Sequence, residues 1–145
     1  MTKFLKKMLT TLFVLIFANT SHSNENFFKE GVELFENKKF ENAKFFLQRS
    51  IVFDPKHAKS YLYLAKIYNE EDDQKNEEKN LETTLLIDPS NEEAILMLMK
   101  IGVKKSNYSS VKELSRRFTK VCKNLCNENK KIIEELNNLE PKNES

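Results

Sequence analysis

Two Asp-Pro pairs, Asp54-Pro55 and Asp88-Pro89, each follow an apolar stretch of this chain. The interval between the two prolines, counted along the sequence, is 89 − 55 = 34. Proline ends a helix because it has no N–H to donate and disfavours helical geometry in the residue before it. A helix stop repeated at this interval predicts stacked helical hairpins, each burying its apolar face against the next. The alternative interpretation of the same apolar periodicity is a simple helix bundle.

The residues between the two stops also repeat in kind. In each stretch the first helix holds bulky residues around a small one, and the second holds a leucine between smaller residues. Glu30 and Glu77 depart from this pattern, and Glu77 stands where a small residue is expected. The first stretch has Phe27, Glu30, Gly31, Leu34, Ala43, Leu47, Ser50 and Pro55, and the second has Tyr61, Leu64, Ala65, Tyr68, Glu77, Leu81, Thr84 and Pro89.

This pattern resembles the tetratricopeptide repeat (TPR) family, whose units pair two helices over about 34 residues. The resemblance covers residues 24–91 well, and it implies an all-α solenoid. Gly31 and Ala65 are expected to let the helices of a hairpin approach closely. We therefore predict about three TPR-like hairpins followed by a C-terminal capping helix, since a solenoid needs a terminal helix with a polar outer face.

The third unit matches the pattern less well. Met99 is large where a small residue belongs, and Gly102 replaces an aromatic residue. Ser110 and Glu113 fit a capping box, which predicts that its second helix starts near Val111. The apolar residues expected to face inward from there on are Val111, Leu114, Phe118, Val121 and Leu125, then Ile132, Ile133, Leu136 and Leu139 in the capping helix.

These observations predict the following organisation. Residues 24–139 form one TPR-like domain, and residues 140–145 form a disordered tail. The predicted segments are repeats at about 24–57, 58–91 and, in degenerate form, 92–125, with the capping helix at 126–139. The predicted helices are Asn26–Asn37, Phe40–Phe53, Ala58–Asn69, Gln74–Ile87, Ala94–Lys104, one from near Val111, and Glu128–Leu139.

The N-terminal stretch, residues 1–23, has the pattern of a cleaved secretory signal peptide. Three lysines precede an uncharged run from Met8 to Ala18, and Ser21 and Ser23 place small residues before a cleavage point at Asn24. As a helix that run would span about 16 Å, short of a bilayer core of about 30 Å. We therefore expect a periplasmic or secreted protein, with an uncleaved membrane anchor as the alternative.

The leader also explains the net positive charge. The whole chain has 24 basic and 22 acidic residues, a net charge of +2. The leader contributes three lysines and no acid, so the remainder has 21 − 22 = −1. A charge near zero gives no support for nucleic-acid binding.

Cys122 and Cys126 are the only cysteines, four residues apart at the join between the third hairpin and the capping helix. An exported protein meets an oxidising compartment, where thiols pair, so we predict a disulfide that holds the capping helix. Two unpaired thiols are the first alternative. A redox or metal role is the second, although the spacing differs from a thioredoxin-type motif and a zinc site would need more ligands.

The sequence contains no pattern typical of an active site. No nucleophile–base pair, glycine-rich phosphate loop or zinc-helix motif is present, and His57 follows an Asp-Pro pair at a helix entrance, where a surface or capping role is expected. The acidic run from Glu70 is interpreted as a solvated turn and helix start, because it lacks the glycine and spacing of a calcium loop. We predict no enzyme, no cofactor and no metal.

The resemblance to TPR proteins implies a groove lined by the first helices of successive repeats. Such a groove typically holds an extended peptide or a helix. At the groove-facing positions the apolar residues of the first repeat precede several lysines, which suits an acidic or carboxylate-bearing ligand. These lysines are alternatively plain solvent-exposed residues. The predicted partner-binding residues are Phe28, Phe35, Tyr63, Lys66, Asn69, Lys100 and Lys104.

The function predicted from the sequence is therefore a non-catalytic adaptor in the bacterial cell envelope that binds another protein through this groove. The alternative is a self-assembling structural component whose C-terminal apolar stripe, around Phe118 and Ile133, packs on another copy. Contact with a membrane is expected only through an uncleaved leader.

Overall fold

A computed structural model describes residues 20–139, with side chains from Glu25 onward. Within this range the chain forms seven α-helices and no strand. No helix in the described range is both long and apolar enough to cross a membrane. The helices are α1 (Thr20–Glu36), α2 (Phe40–Phe53), α3 (Ala58–Glu70), α4 (Gln74–Ile87), α5 (Glu92–Lys104), α6 (Tyr108–Val121) and α7 (Cys126–Leu139).

Helices α2 and α4 match the predicted bounds at both ends, whereas α1 begins six residues earlier than predicted, at Thr20. Most of the predicted signal peptide and all of the predicted disordered tail at 140–145 lie outside the described residues. The predicted cleavage point before Asn24 falls inside α1. The chain divides into two compact units, unit 1 up to Ser60 and unit 2 from Tyr61.

The 34-residue period is present in the backbone of all three hairpins. Lys38, Asp72 and Ser106 have positive φ angles of 56°, 56° and 55°, and each lies in the turn of one hairpin. Their spacings are 72 − 38 = 34 and 106 − 72 = 34. The next residue in each turn donates its N–H to a carbonyl five residues earlier, a bond that closes the end of the first helix: Lys39 to Leu34, Asp73 to Tyr68 and Asn107 to Gly102. The third hairpin therefore keeps the period that its side chains obscure.

Side-chain caps define where three of the helices begin. Asp73, Asn91 and Asn107 accept from the N–H of the residue three positions on, at 3.1, 3.0 and 3.3 Å, which satisfies a donor that has no partner within the helix. The predicted capping box at Ser110 and Glu113 is wrong. Asn107 caps α6 instead, so this helix starts one turn earlier than expected.

In unit 1, α1 and α2 pack at close range around Gly31. A Cβ atom at this position would lie 2.8 Å from Leu47 Cγ, closer than real contacts allow. Leu47 and Ala43 are fully buried, so a larger residue at position 31 has no room. This confirms the expectation that Gly31 permits the approach of the two helices.

Unit 1 also contains an aromatic cluster that is only partly covered. The Phe27 ring stacks on Phe53 with centroids 5.3 Å apart, and the Arg49 guanidinium carbon lies 4.6 Å from the Phe27 centroid. Although phenylalanine is most often a core residue, Phe45 and Phe53 of α2 are about half exposed. The difference arises because α2 has one buried face, formed by Ala43, Leu47 and Ser50, while phenylalanines occur on its other faces too.

The core of unit 2 is formed by α3 to α7. Helices α4 and α6 pack against α5, and α7 packs against α6 and α5. Two leucines predicted to face inward are exposed instead, Leu139 at 51% and Leu125 at 37%. Leu86, in the last turn of α4, is 83% exposed. Phe118 is fully buried, as the apolar stripe predicts. It therefore belongs to this core and not to the surface that the self-assembly alternative would use.

The third hairpin reverses the order of small and large residues. Met99 is fully buried at the position where a small residue is expected. At Gly102 a Cβ atom would lie 2.6 Å from Val111 Cγ2. The close approach of α5 and α6 is therefore made at Gly102 rather than one turn earlier.

Candidate partner-binding site

Helices α3 and α5 of unit 2 carry five of the predicted binding residues: Tyr63, Lys66, Asn69, Lys100 and Lys104. We call this the α3–α5 face. Lys66 Nζ lies 2.8 Å from Glu93 Oε1 and 4.6 Å from the centre of the Tyr63 ring. The ion pair joins α3 to the first turn of α5. Because Glu93 balances its charge, Lys66 stabilises the face rather than offering a free cation.

Lys100 and Lys104 are the open cations of this face. They lie one turn apart on α5, and both are exposed. Among the described residues neither has an ion pair or a hydrogen bond, although Lys100 acts electrostatically on Glu128 and Lys104 on Glu77. An incoming carboxylate could therefore reach either ammonium group without displacing a partner.

A small depression lies beside Lys104. It has a volume of about 220 Å³ and is lined by Lys104, Asn69, Glu77, Asp72 and Gln74. At its edge Asn69 Nδ2 donates to Glu77 Oε1 at 3.1 Å. Glu77 is only 4% exposed, and this burial raises the pKa of its carboxyl group, while the hydrogen bond from Asn69 opposes the change. Asn69 thus satisfies a buried carboxylate and remains exposed itself.

The other two predicted residues, Phe28 and Phe35, belong to unit 1 and are partly buried. The Phe28 ring meets the His57 ring edge-on with centroids 4.7 Å apart, and the rings of Phe35 and Phe40 are 6.0 Å apart. His57 Nδ1 lies 2.8 Å from Ser60 Oγ, and burial lowers the pKa of its imidazole. His57 is therefore part of the packing of unit 1 rather than a surface residue.

Ser60 extends this contact into the interior. Its hydroxyl group donates to Ser50 Oγ at 2.9 Å, and both serines are fully buried. This hydrogen bond gives both buried hydroxyl groups a partner, as buried polar groups require.

The loop from Cys122 to Cys126 holds Glu92. The two sulfur atoms lie at disulfide distance, with Cα atoms 5.4 Å apart. The backbone N–H groups of Lys123, Asn124 and Leu125 all donate to the Glu92 carboxylate, the shortest from Leu125 at 2.7 Å. These donors hold the pKa of Glu92 below its ordinary value. The loop therefore fastens the start of α7 to the first turn of α5.

Within the described residues no group of three or more His, Cys, Asp or Glu side chains is placed to hold a metal ion. The sequence predicts that the acidic run from Glu70 is a solvated turn and helix start. For Glu77 this is wrong, because that residue is buried against Asn69.

Three acidic residues that organise this part of the protein were missed in the sequence. Glu92 binds the cysteine loop and Glu93 pairs with Lys66, and the sequence predicts neither contact. Glu77 gave a usable signal, because it was the one residue of the second repeat that broke the pattern. Nothing comparable marked Glu92 or Glu93, whose partners belong to other helices and lie far from them in the sequence.

Comparison with known proteins supports the fold. No model of a known protein family matches the sequence, and no curated protein matches it significantly. Solved structures do match. The TPR domain of Arabidopsis OM64 aligns with a TM-score of 0.73 and 18% identity, over 83% of this chain and 98% of that one.

Two further structures were solved with peptides or partners. The TPR2B domain of yeast Sti1, in a complex described as TPR2B-domain:pHsp70, aligns with a TM-score of 0.74 and 15% identity, over 82% of this chain and 99% of that one. The first TPR of Spaghetti (RPAP3), bound to the HSP90 peptide SRMEEVD, aligns with a TM-score of 0.69 and 17% identity, over 81% and 98%.

The protein is thus an all-α helical repeat of the α-solenoid class, as its 34-residue period predicts. Its fold is that of a tetratricopeptide-repeat domain. The predicted fold class is confirmed, with three hairpins and a C-terminal helix in the described range.

Proposed function

We propose that this protein is a non-catalytic adaptor that binds a peptide or helix of another protein on its α3–α5 face. The observation that carries the proposal is the pair of open cations one turn apart on α5, Lys100 and Lys104, of which Lys104 lines the depression at Asn69. A carboxylate of the partner would meet Lys100 or Lys104, and the Asn69 amide could add a hydrogen bond. TPR domains of the same fold were solved with peptides, and the peptide SRMEEVD of one of them contains three acidic residues.

The proposal includes the compartment. Residues 1–23 have the pattern of a signal peptide, so we propose that the adaptor works in the bacterial cell envelope, in the periplasm or after secretion. Fractionation of cells and a mass measurement of the exported protein test this. A mature N-terminus at Asn24 in the periplasm or medium supports export, and an intact cytoplasmic chain would contradict it.

Capture of the partner tests the binding face. A photo-crosslinking phenylalanine analogue would replace Tyr63, because an aromatic ring there preserves the surface under Lys66. Crosslinked proteins from the native envelope would then be identified by mass spectrometry. We expect one dominant partner, and we expect its yield to fall about tenfold in Lys100→Glu/Lys104→Glu, since two attractive contacts become repulsive.

A matched control separates the face from overall charge. Lys75→Glu/Lys79→Glu reverses two exposed lysines at the same four-residue spacing on α4, away from the α3–α5 face. This variant should capture the partner as the wild type does. Equal loss in both double variants would mean that net charge matters and the face does not.

Self-assembly is the second candidate function. Leu125 and Leu139 are exposed at the C-terminal end of unit 2. If they pack on another copy, sedimentation of the full chain should show a dimer that Leu139→Lys dissociates. A monomer across a wide concentration range would end this alternative.

A further inference from the structure

A groove in unit 2 lies between α4 and α6, the second helices of two successive hairpins. Its volume is about 460 Å³, within the range of clefts that bind ligands. Leu85, Leu86, Leu98 and Leu114 contribute its apolar lining. We call this the α4–α6 groove. It shares no lining residue with the five residues of the α3–α5 face, so it is a separate surface.

The lining of the groove combines bare backbone with an exposed leucine. Gly102 contributes only backbone to the lining, because the space that a side chain would take is filled by Val111. Leu86 projects from the last turn of α4 and is 83% exposed. An apolar side chain entering the groove would cover a leucine that now faces water, at a gain proportional to the buried area.

The charged groups that line the groove favour a positively charged partner. Glu78 pairs with Lys105, and Arg117, which keeps its positive charge, donates to the Pro89 carbonyl oxygen at 2.7 Å. The three glutamates and two basic residues of the lining give the groove a net charge of 2 − 3 = −1. The other two acidic residues of the lining are Glu82 on α4 and Glu113 on α6. Both are exposed, and neither has a hydrogen bond or ion pair among the described residues.

We infer that the α4–α6 groove is a second docking surface, which takes a basic amphipathic helix of another protein. An apolar side chain of that helix would lie over Leu86, and a lysine or arginine on each side of it would reach Glu82 and Glu113. The inference goes beyond the proposed function, which concerns acidic segments on the α3–α5 face. An adaptor with two such faces joins partners of opposite charge.

A synthetic amphipathic helix of leucine and lysine serves as the probe, and the full chain carries methyl-labelled leucines. On titration, the NMR methyl signals of Leu85, Leu86, Leu98 and Leu114 should shift. The methyl signals of leucines outside the groove should not. A matching peptide of leucine and glutamate should leave the groove signals unchanged. Shifts confined to other leucines, or equal shifts with both peptides, would overturn the inference.

Single substitutions show which residues of the groove contribute to peptide binding. Leu86→Ala and Glu82→Lys change exposed side chains, so the fold is retained, and each should weaken binding of the leucine–lysine peptide about tenfold. Glu134→Lys/Glu135→Lys on α7 adds positive charge elsewhere and should bind as the wild type does. Unchanged affinity in Leu86→Ala or Glu82→Lys, or an equal loss in the α7 control, would overturn the inference.

The outcome is independent of the proposed function. Lys100→Glu/Lys104→Glu should lose the captured partner and keep the leucine–lysine peptide. A peptide-free dimer that Leu86→Ala dissociates would show that a second copy occupies the groove, which would overturn the assignment to a basic partner helix.

Discussion

The first hairpin, α1–α2, and the third, α5–α6, have the same backbone turn but different packing. In the first, the helices approach at Gly31, where Leu47 fills the space. In the third they approach at Gly102, where Val111 does so. By the 34-residue period, position 102 corresponds to Leu34 in the first hairpin and 99 to Gly31. The third hairpin has exchanged the small and the large residue.

The comparison teaches that the period is held by the backbone and that side chains can be redistributed within it. Two backbone features recur at 34-residue intervals: a positive φ angle in each turn and a hydrogen bond to a carbonyl five residues earlier. Cores tolerate such exchanges when total volume and patterning are kept. A repeat whose side chains match the sequence motif poorly can therefore keep the backbone structure of the repeat.

The largest effect is expected at Phe118, which occupies the position of Ser50 in the first hairpin (50 + 68 = 118). Phe118 is fully buried, so Phe118→Ala should lower the free energy of unfolding by about 3–5 kcal/mol. Ser50→Ala removes the hydroxyl group that accepts from Ser60 and should cost about 1 kcal/mol. Urea denaturation followed by circular dichroism measures both, and equal losses would contradict the difference between the hairpins.

The ends of the two hairpins also differ. The first ends at Asp54-Pro55, where Asp54 Oδ1 accepts the Lys56 N–H at 3.0 Å, and the third ends in the cysteine loop that binds Glu92. A disulfide closing so short a loop is worth about 2 kcal/mol. Cys122→Ser/Cys126→Ser should therefore lower the unfolding free energy by about that amount, with the main loss in α7.

Two measurements check the cysteine prediction. Without reductant, neither Cys122 nor Cys126 should react with an alkylating reagent in the folded protein, and both should react after reduction. Hydrogen exchange should then rise in α7 while α2 is unchanged. Rapid alkylation before reduction would show that the two thiols are unpaired, which is the first alternative to the predicted disulfide.

The close approach at Gly102 can be tested by adding one methyl group at that position. Gly102→Ala places a Cβ atom against Val111, and the overpacking should outweigh the gain in helix propensity by about 1 kcal/mol. In a Val111→Ala background the obstruction is gone, so the same substitution should become neutral or stabilising. A double-mutant cycle measures this coupling. Additive effects would mean that the two residues do not limit the approach of α5 and α6.

Much of this architecture could be predicted from the sequence, because caps, prolines and a 34-residue period act locally. The same period would also have located the cap at Asn107, since Asp73 precedes it by the same interval, 107 − 73 = 34. Apolar periodicity could not show that Leu86 and Leu139 are exposed, because it identifies a face without showing what covers it. The pairing of Lys66 with Glu93 depends on the distance between two helices, which no local pattern encodes.

The smallest effect on stability is expected at Glu77, which tests the comparison between hairpins at a single position. Its position corresponds to Ala43 in the first hairpin and Val111 in the third, both fully buried and apolar. Burial raises the pKa of Glu77 above that of an unfolded glutamate. Between the two pKa values the folded protein keeps a proton that the unfolded chain has released, so this residue's contribution to stability falls as the pH rises.

Glu77→Gln removes this titration and keeps an oxygen that can accept from Asn69. The variant should match the wild type at a pH below the ordinary glutamate pKa and become the more stable protein as the pH rises toward 7. Its gain should be smaller than the loss in Gly102→Ala. Unfolding midpoints measured across this range check the sign, with Glu82→Gln, an exposed residue of the same helix, as the control for adding an amide. If the Glu77→Gln and wild-type curves run parallel, the carboxylate is not held in a buried environment, and the second hairpin's departure from its neighbours has no energetic consequence.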